Sequence, residues 1–285
     1  MNHVKTAMLM LFLTALLIGM GLVLDSRVGG YTFTIIFFVI SLGINLVSYW
    51  FSDRIVLALY RARPLTPQEA PDVHAMVHDL AARAEIPVPR LYIAPMDVPN
   101  AFATGRNPSK AVVCVTNGIL NLLSRRELKG VLAHEISHVV HYDTLIMTVC
   151  AAIAGGIMFL SRIFFYSSMS GGRRRGGNPL LGLIVFMLAP ILALMIQMAI
   201  SRSREFDADA GGGRLSSDPE ALASALLRME EYAKRAHMEP IPATSHMFIV
   251  NPAVGKGGFD LFSTHPATEK RVARLRDLAR NLGSV

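Results

Sequence analysis

The chain has 285 residues, of which 52% are hydrophobic and 17% charged, with a formal net charge of +7 and two cysteines. A soluble domain carries about 25% charged residues, so this composition argues against a purely water-soluble protein. Neither Cys114 nor Cys150 has a CxxC partner, which excludes a disulfide framework and a cysteine metal site and fits a reducing compartment. The positive charge is not interleaved with aromatics in a basic stripe, so no nucleic-acid partner is expected.

The missing charge is concentrated. Thr6–Leu24, Val28–Ser52, Thr144–Ser161 and Gly176–Ser201 each run at least 18 residues without Asp, Glu, Lys or Arg. A membrane-spanning helix needs about 20 apolar residues, so four transmembrane helices are expected, with the lipid bilayer as a partner. The first stretch is longer than a signal-peptide core and is followed by Asp25, Ser26 and Arg27, not by a small-residue cleavage site; it reads as a retained anchor. The domain plan is therefore 1–52 for two N-terminal spans, 53–143 for a first soluble part, 144–201 for a membrane hairpin, and 202–285 for a second soluble part.

Asp53, Arg54, Arg61 and Arg63 mark the exit of the second span into water. Val73, Met76, Val77, Leu80 and Ala81 then recur at helical spacing. His74 and His78 lie four apart on this helix, but no acid follows His74, and both read as surface histidines. Leu91–Ala94, Ala101–Thr104 and Ala111–Thr116 are short, partly β-branched runs between Pro, Asn and Gly, the pattern of a small sheet. Ser124 and Glu127 form a capping-box signature, and the helix it starts runs through HEISH towards Tyr142.

HEISH carries the chemistry. His134 and His138, one turn apart, share a helix face and can aim two imidazoles at one ion. Glu135 is rotated by about 100° from His134, beside the ion and not on it. A Zn²⁺ site lowers the pKa of water to about 7, and a general base is needed at that position. A catalytic site needs a third protein ligand. The metzincin pattern would place Gly at 141 and His at 144; the chain has His141 and Thr144. His141 is a weak candidate and reads better as a polar residue near the membrane boundary. Glu205, in SRSREFDAD, is the better third ligand, and Asp209 one turn later can accept the free ring N–H of a ligating histidine. Folding back the hairpin between HEISH and Glu205 would bring the three ligands together at one membrane surface.

Two loops and two helices complete the reading of the chain. Arg173, Arg174 and Arg175 sit in a Gly/Ser loop between the third and fourth spans. Asp218 and Pro219 start another helix, reaching about Ala236. The Pro/Gly-rich tract 237–262 is long for a plain connection and reads as a functional loop. A basic amphipathic helix closes the chain. There is no internal repeat.

Taken in order, the two early spans, NAFATG, HEISH, the second hydrophobic pair, SRSREFDAD and HMFIVNP…LFSTHPATEKRVARL resemble the HtpX family of membrane zinc metalloproteases across the whole chain. The resemblance implies an α+β membrane protein: four transmembrane helices and a mainly helical, zincin-like metalloprotease domain with a small sheet. It implies one Zn²⁺ on His134, His138 and Glu205, Glu135 as catalytic base, and Asp209 supporting a ligand. It implies Asn100, Ala101, Phe102 and Ala103 as a substrate-binding edge strand, where backbone hydrogen bonds hold an extended peptide. It implies His265 as an oxyanion donor with Arg271 nearby. The family implies a bacterial inner-membrane enzyme with its active site facing the cytoplasm, acting on misfolded membrane proteins or unfolded polypeptides. That topology puts Arg162 and Arg173–Arg175 outside, against the positive-inside rule.

Two other readings share parts of this pattern. CAAX prenyl-protein peptidases carry HExxH and a later Glu, but on more membrane helices in a longer chain. A non-catalytic metal-binding scaffold has no need of Glu135, which is present here beside both histidines.

Overall fold

The computed structural model describes residues 2–143, 161, 162, 165, 183, 184, 186–188, 204–236, 249 and 266–283. The chain divides into two units, one of residues 1–50 and 146–199 and the other of 51–145 and 200–285.

In the first unit, α1 (Asn2–Val28) is followed by the start of α2 (Thr32–Leu59). Gly29 and Gly30, at φ of 87° and 89°, supply the left-handed backbone of the turn between them. Asp25, near the end of α1, caps α2. Its carboxylate accepts from the Phe33 and Thr34 N–H groups, both at 2.9 Å, and from the Thr34 hydroxyl at 2.7 Å. These are donors that a helix start leaves unsatisfied, and the positive end of the helix dipole favours the charge. Farther along, the Asn45 amide donates to the Thr14 hydroxyl at 3.1 Å. Among the described residues, one helix is long and apolar enough to cross a membrane, Thr32–Phe51, with a mean hydropathy of 1.9 over its window. Met10–Gly19 is a shorter apolar stretch. The third and fourth expected spans lie outside the described residues, apart from isolated positions.

The second unit is mainly helical around a four-stranded sheet of order β1-β2-β4-β3. The strands are β1 (Arg63–Pro64), β2 (Arg90–Ala94), β3 (Ala101–Thr104) and β4 (Val112–Thr116). Strand β2 runs parallel to β4, while β1 and β3 are antiparallel to their neighbours. Strand alternation gives the sheet two apolar faces. Leu91, Ile93, Ala101, Ala103, Val113 and Val115 join the main core. Tyr92, Ala94, Phe102, Val112 and Cys114 pack with Val56, Leu57 and Tyr60 from the end of α2. Both faces are covered, and β4 is buried at every position.

The main core is organised by α5 (Arg125–Val140), which packs on α3 (Pro71–Arg83), β3 and α7 (Pro219–Arg235). The expected capping box starts α5. The Ser124 side chain accepts from the Glu127 backbone, and the Glu127 carboxylate accepts from the Ser124 N–H and hydroxyl, both at 2.8 Å. Asp218 caps α7 through the Ala221 N–H at 3.1 Å, with Pro219 in its first turn. A short helix, α4 (Asn117–Leu122), follows β4. Helix α6 covers residues 204–216, and α8 (Thr268–Gly283) closes the unit against α7.

The HEISH helix ends two residues past its second histidine. Val140 is its last residue, His141 caps it, and Tyr142 turns left-handed at φ 59°. The Tyr142 N–H donates to the Val139 carbonyl at 3.1 Å, which closes this turn. A bulky residue is uncommon at positive φ, and here the reversal brings Asp143 back towards His138.

Candidate metal centre and active site

Helix α5 presents His134 and His138 on one face, and α6 brings Glu205 opposite them. The Nε2 atoms of the two histidines are 3.2 Å apart. Glu205 Oε1 is 3.6 Å from His138 Nε2, and Oε2 is 3.7 Å from His134 Nε2. One ligand atom from each residue lies within 4.8 Å of the others. Two nitrogens about 2.0–2.1 Å from one tetrahedral Zn²⁺ would be about 3.3 Å apart, so the spacing fits a single ion.

The buried charges also fit. Among the described residues, Glu135, Asp143, Glu205 and Asp209 are buried acids around this point, and Arg204 and Arg271 are the buried guanidiniums. Acids outnumber guanidiniums among these buried groups, a surplus of the sign that a cation site needs. Isolated charges at this depth are costly.

Asp209 lies one turn beyond Glu205. Its Oδ1 is 3.0 Å from His134 Nδ1, which leaves His134 Nε2 directed at the ligand cluster. Burial, partly opposed by Asp209, holds the His134 pKa below its ordinary value, the neutral form a metal ligand needs. Burial works against charge on His138 too, but Asp143 and Glu205 outweigh it and raise its pKa to about 10. Burial pushes the Glu135 carboxyl up to about 7; His138 and a hydrogen bond from the Ala103 N–H oppose the shift, and Glu205 adds to it.

The same Ala103 ties Glu135 to the sheet edge. β3 is the last strand in the order. At its start the Asn100 N–H donates to the Thr116 hydroxyl at 2.9 Å, and the Thr116 N–H donates to the Asn100 carbonyl at 3.0 Å. Alternation along an antiparallel ladder then turns the backbone groups of Ala101 and Ala103 away from β4, towards the edge. Phe102 points to the other face, against the Tyr60 ring at a centroid distance of 4.8 Å. Asn100 is buried, and its side-chain oxygen accepts from the Ile249 N–H at 3.2 Å.

Arg271 is 1% exposed. It grips Asp209 with two hydrogen bonds, at 2.8 and 2.7 Å, and donates to the Ile249 carbonyl at 2.7 Å. Its guanidinium is also 3.4 Å from Glu205 Oε2. Ile249 is the one described residue of the 237–262 tract, and both its backbone polar groups are held by residues expected at the site. His265 lies outside the described residues. His141 is exposed and not part of the cluster; its Nδ1 is 3.3 Å from the Ser137 hydroxyl.

Sequence reasoning passed over two residues and one contact. Asp143 Oδ2 is 3.1 Å from His138 Nδ1, and its other oxygen accepts from Arg204. A Cβ at Gly212 would come within 2.7 Å of the His134 nitrogen, so α6 crosses α5 at the first ligand with no room for a side chain. The acid five residues past the second histidine and the glycines after SRSREFDAD were the available signals.

Comparison with known proteins agrees with this geometry. Residues 67–279 match peptidase family M48. The chain is 50% identical over 277 residues to the "Protease HtpX homolog" of Methylibium petroleiphilum, covering 96% of each chain. It is 50% identical over 282 residues to the protein of that name from Paraburkholderia phytofirmans, covering 98% of each. The crystal structure of S. mikatae Ste24p shares the fold at a TM-score of 0.56 and 18% identity, over 93% of this chain and 61% of that one. An HEISH helix, a glutamate from a second helix and full-length similarity to these proteases lead to one conclusion: the chain belongs to peptidase family M48, among the HtpX proteases, and is a membrane metalloprotease.

Proposed function

We propose that the chain is a zinc-dependent endopeptidase of the bacterial inner membrane, with its active site facing the cytoplasm, which cleaves misfolded or damaged membrane proteins and unfolded polypeptides. The observation that carries this reading is the convergence of His134, His138 and Glu205 beside Glu135, which is itself bonded to the Ala103 N–H.

His134, His138 and Glu205 would hold Zn²⁺. When bound, the ion activates water and polarises the peptide carbonyl. Glu135, with a carboxyl poised near neutrality, takes a proton from the attacking water and returns it to the leaving amine. The β3 edge, through Ala101 and the Ala103 carbonyl, pairs with extended substrate backbone, which favours unfolded chains with little regard to sequence. Arg271 contributes by fixing Asp209 and Glu205, and His265 remains assigned to the oxyanion by the family resemblance. The apolar α2 and the expected hairpin would keep the cleft near the bilayer, where such substrates are found.

Glu135→Gln tests the reading. Purified in detergent, the variant should retain zinc at wild-type stoichiometry and lose cleavage of casein and of an unfolded membrane protein. Undiminished cleavage would remove Glu135 from the mechanism. Zinc without cleavage in either form would favour the scaffold.

A further inference from the structure

We propose that Asp143 and Arg204 form a positioning pair that sets the His138 ring and the Glu205 carboxylate for the metal, an inference that rests on the metal-site reading above.

Each ligand imidazole has an acid behind it, and each acid an arginine. His134 Nδ1 faces Asp209, which Arg271 grips with two hydrogen bonds. His138 Nδ1 faces Asp143 at 3.1 Å, and Arg204 donates to the other Asp143 oxygen. Asp143 and Arg204 are 3% and 8% exposed. A carboxylate on Nδ1 keeps the ring proton there, leaves Nε2 as the metal donor, and holds the ring plane in place.

Arg204 adds a second constraint. It immediately precedes Glu205, so its hold on Asp143 fixes the start of α6 against the end of α5. The two residues are 61 positions apart, on either side of the expected membrane hairpin. Asp143 can serve both partners because the left-handed Tyr142 reverses the chain after the cap of α5. One carboxylate therefore registers two ligands that arrive on separate segments. The pair touches no metal or substrate; it acts through His138 and Glu205.

The test uses the full chain in detergent, with Zn²⁺ as the probe in competition with a chelator. Asp143→Ala should weaken zinc binding by about 10–100-fold, the usual effect of losing such a support. Arg204→Ala should weaken it less. The double variant should bind no more weakly than Asp143→Ala, because Arg204 acts through Asp143. Asp143→Asn, which retains an acceptor for the ring N–H, should recover part of the loss. Substitution with Co²⁺ should give an altered visible spectrum for Asp143→Ala, reporting a changed ligand arrangement. Melting of the metal-free proteins separates this role from a structural one. Asp143→Ala binding zinc as tightly as wild type, or losing affinity only as far as its metal-free form loses stability, would overturn the proposal. A wild-type chain that takes up no zinc would instead remove the metal reading and this inference with it.

Discussion

Gly212 of α6 lies directly on the backbone of His134 in α5: an added Cβ would sit 2.7 Å from the His134 nitrogen and 2.8 Å from its Cα. The contact is backbone against backbone, so no rotamer change relieves it. In an open helix, Gly→Ala gains about 1 kcal/mol. Here overpacking costs about 1–3 kcal/mol and displaces the helix that carries Glu205. Gly212→Ala is expected to lower the melting temperature and weaken zinc binding together. Gly213→Ala is the control, because the atoms nearest its Cβ would be side-chain atoms of Leu278 and Pro219, at 3.1–3.2 Å; its loss should be the smaller one.

Removing Arg271 should be more damaging than removing its partner's charge. Arg271→Ala leaves the buried Asp209 without its guanidinium and takes a donor from Ile249. Breaking a buried pair from one side costs about 3–5 kcal/mol. Asp209→Asn retains a hydrogen-bond acceptor for His134 and should lose less. Chemical denaturation of the metal-free forms gives the stability order, and chelator competition gives the zinc affinity.

Glu127 makes the N-terminal end of α5 sensitive to acid. Burial raises its carboxyl pKa, but the Ser224 hydroxyl and the Ser124 N–H and hydroxyl outweigh burial, and the net shift is below the ordinary 4.5. A depressed acid contributes stability that is complete above its unfolded pKa and is lost as pH falls through the folded one. Glu127→Gln should therefore be about 1–2 kcal/mol less stable at pH 7. The gap should close below pH 4.5, where wild type protonates as well. Melting curves of both proteins between neutral and acid pH check this; a gap independent of pH would show that the charge of Glu127 does not matter.

Asp25 is the internal cap of the first helical pair. Asp25→Ala removes the acceptor for three donors at the start of α2, a loss of about 1–2 kcal/mol for a helix cap. The expected readout is faster proteolytic nicking at Gly29–Tyr31, with zinc content unchanged.

What could be read from the sequence follows the range of the forces involved. The capping box at Ser124, the Asp218–Pro219 helix start and the three longer strands depend on neighbours a few residues away, and their residue types declare them. The convergence of His134, His138 and Glu205 was legible because a pattern suited to metal ligation restricts residue type and helical spacing together. Asp143 was not: its role depends on Tyr142 taking a left-handed turn, which no glycine or asparagine advertises. The buried roles of Asn100 and Arg271 depend on Ile249, a partner 149 positions from Asn100. Such long-range polar pairing leaves no local periodicity to detect.

The order of the site along the chain has a consequence for synthesis. His134, Glu135 and His138 emerge from the ribosome first, Glu205 and Asp209 follow much later, and Arg271, which grips Asp209, comes later still. A nascent or prematurely terminated polypeptide holds an incomplete centre. A chain synthesised only as far as His138 therefore lacks Glu205, and one synthesised only as far as Asp209 lacks the guanidinium that neutralises that buried acid.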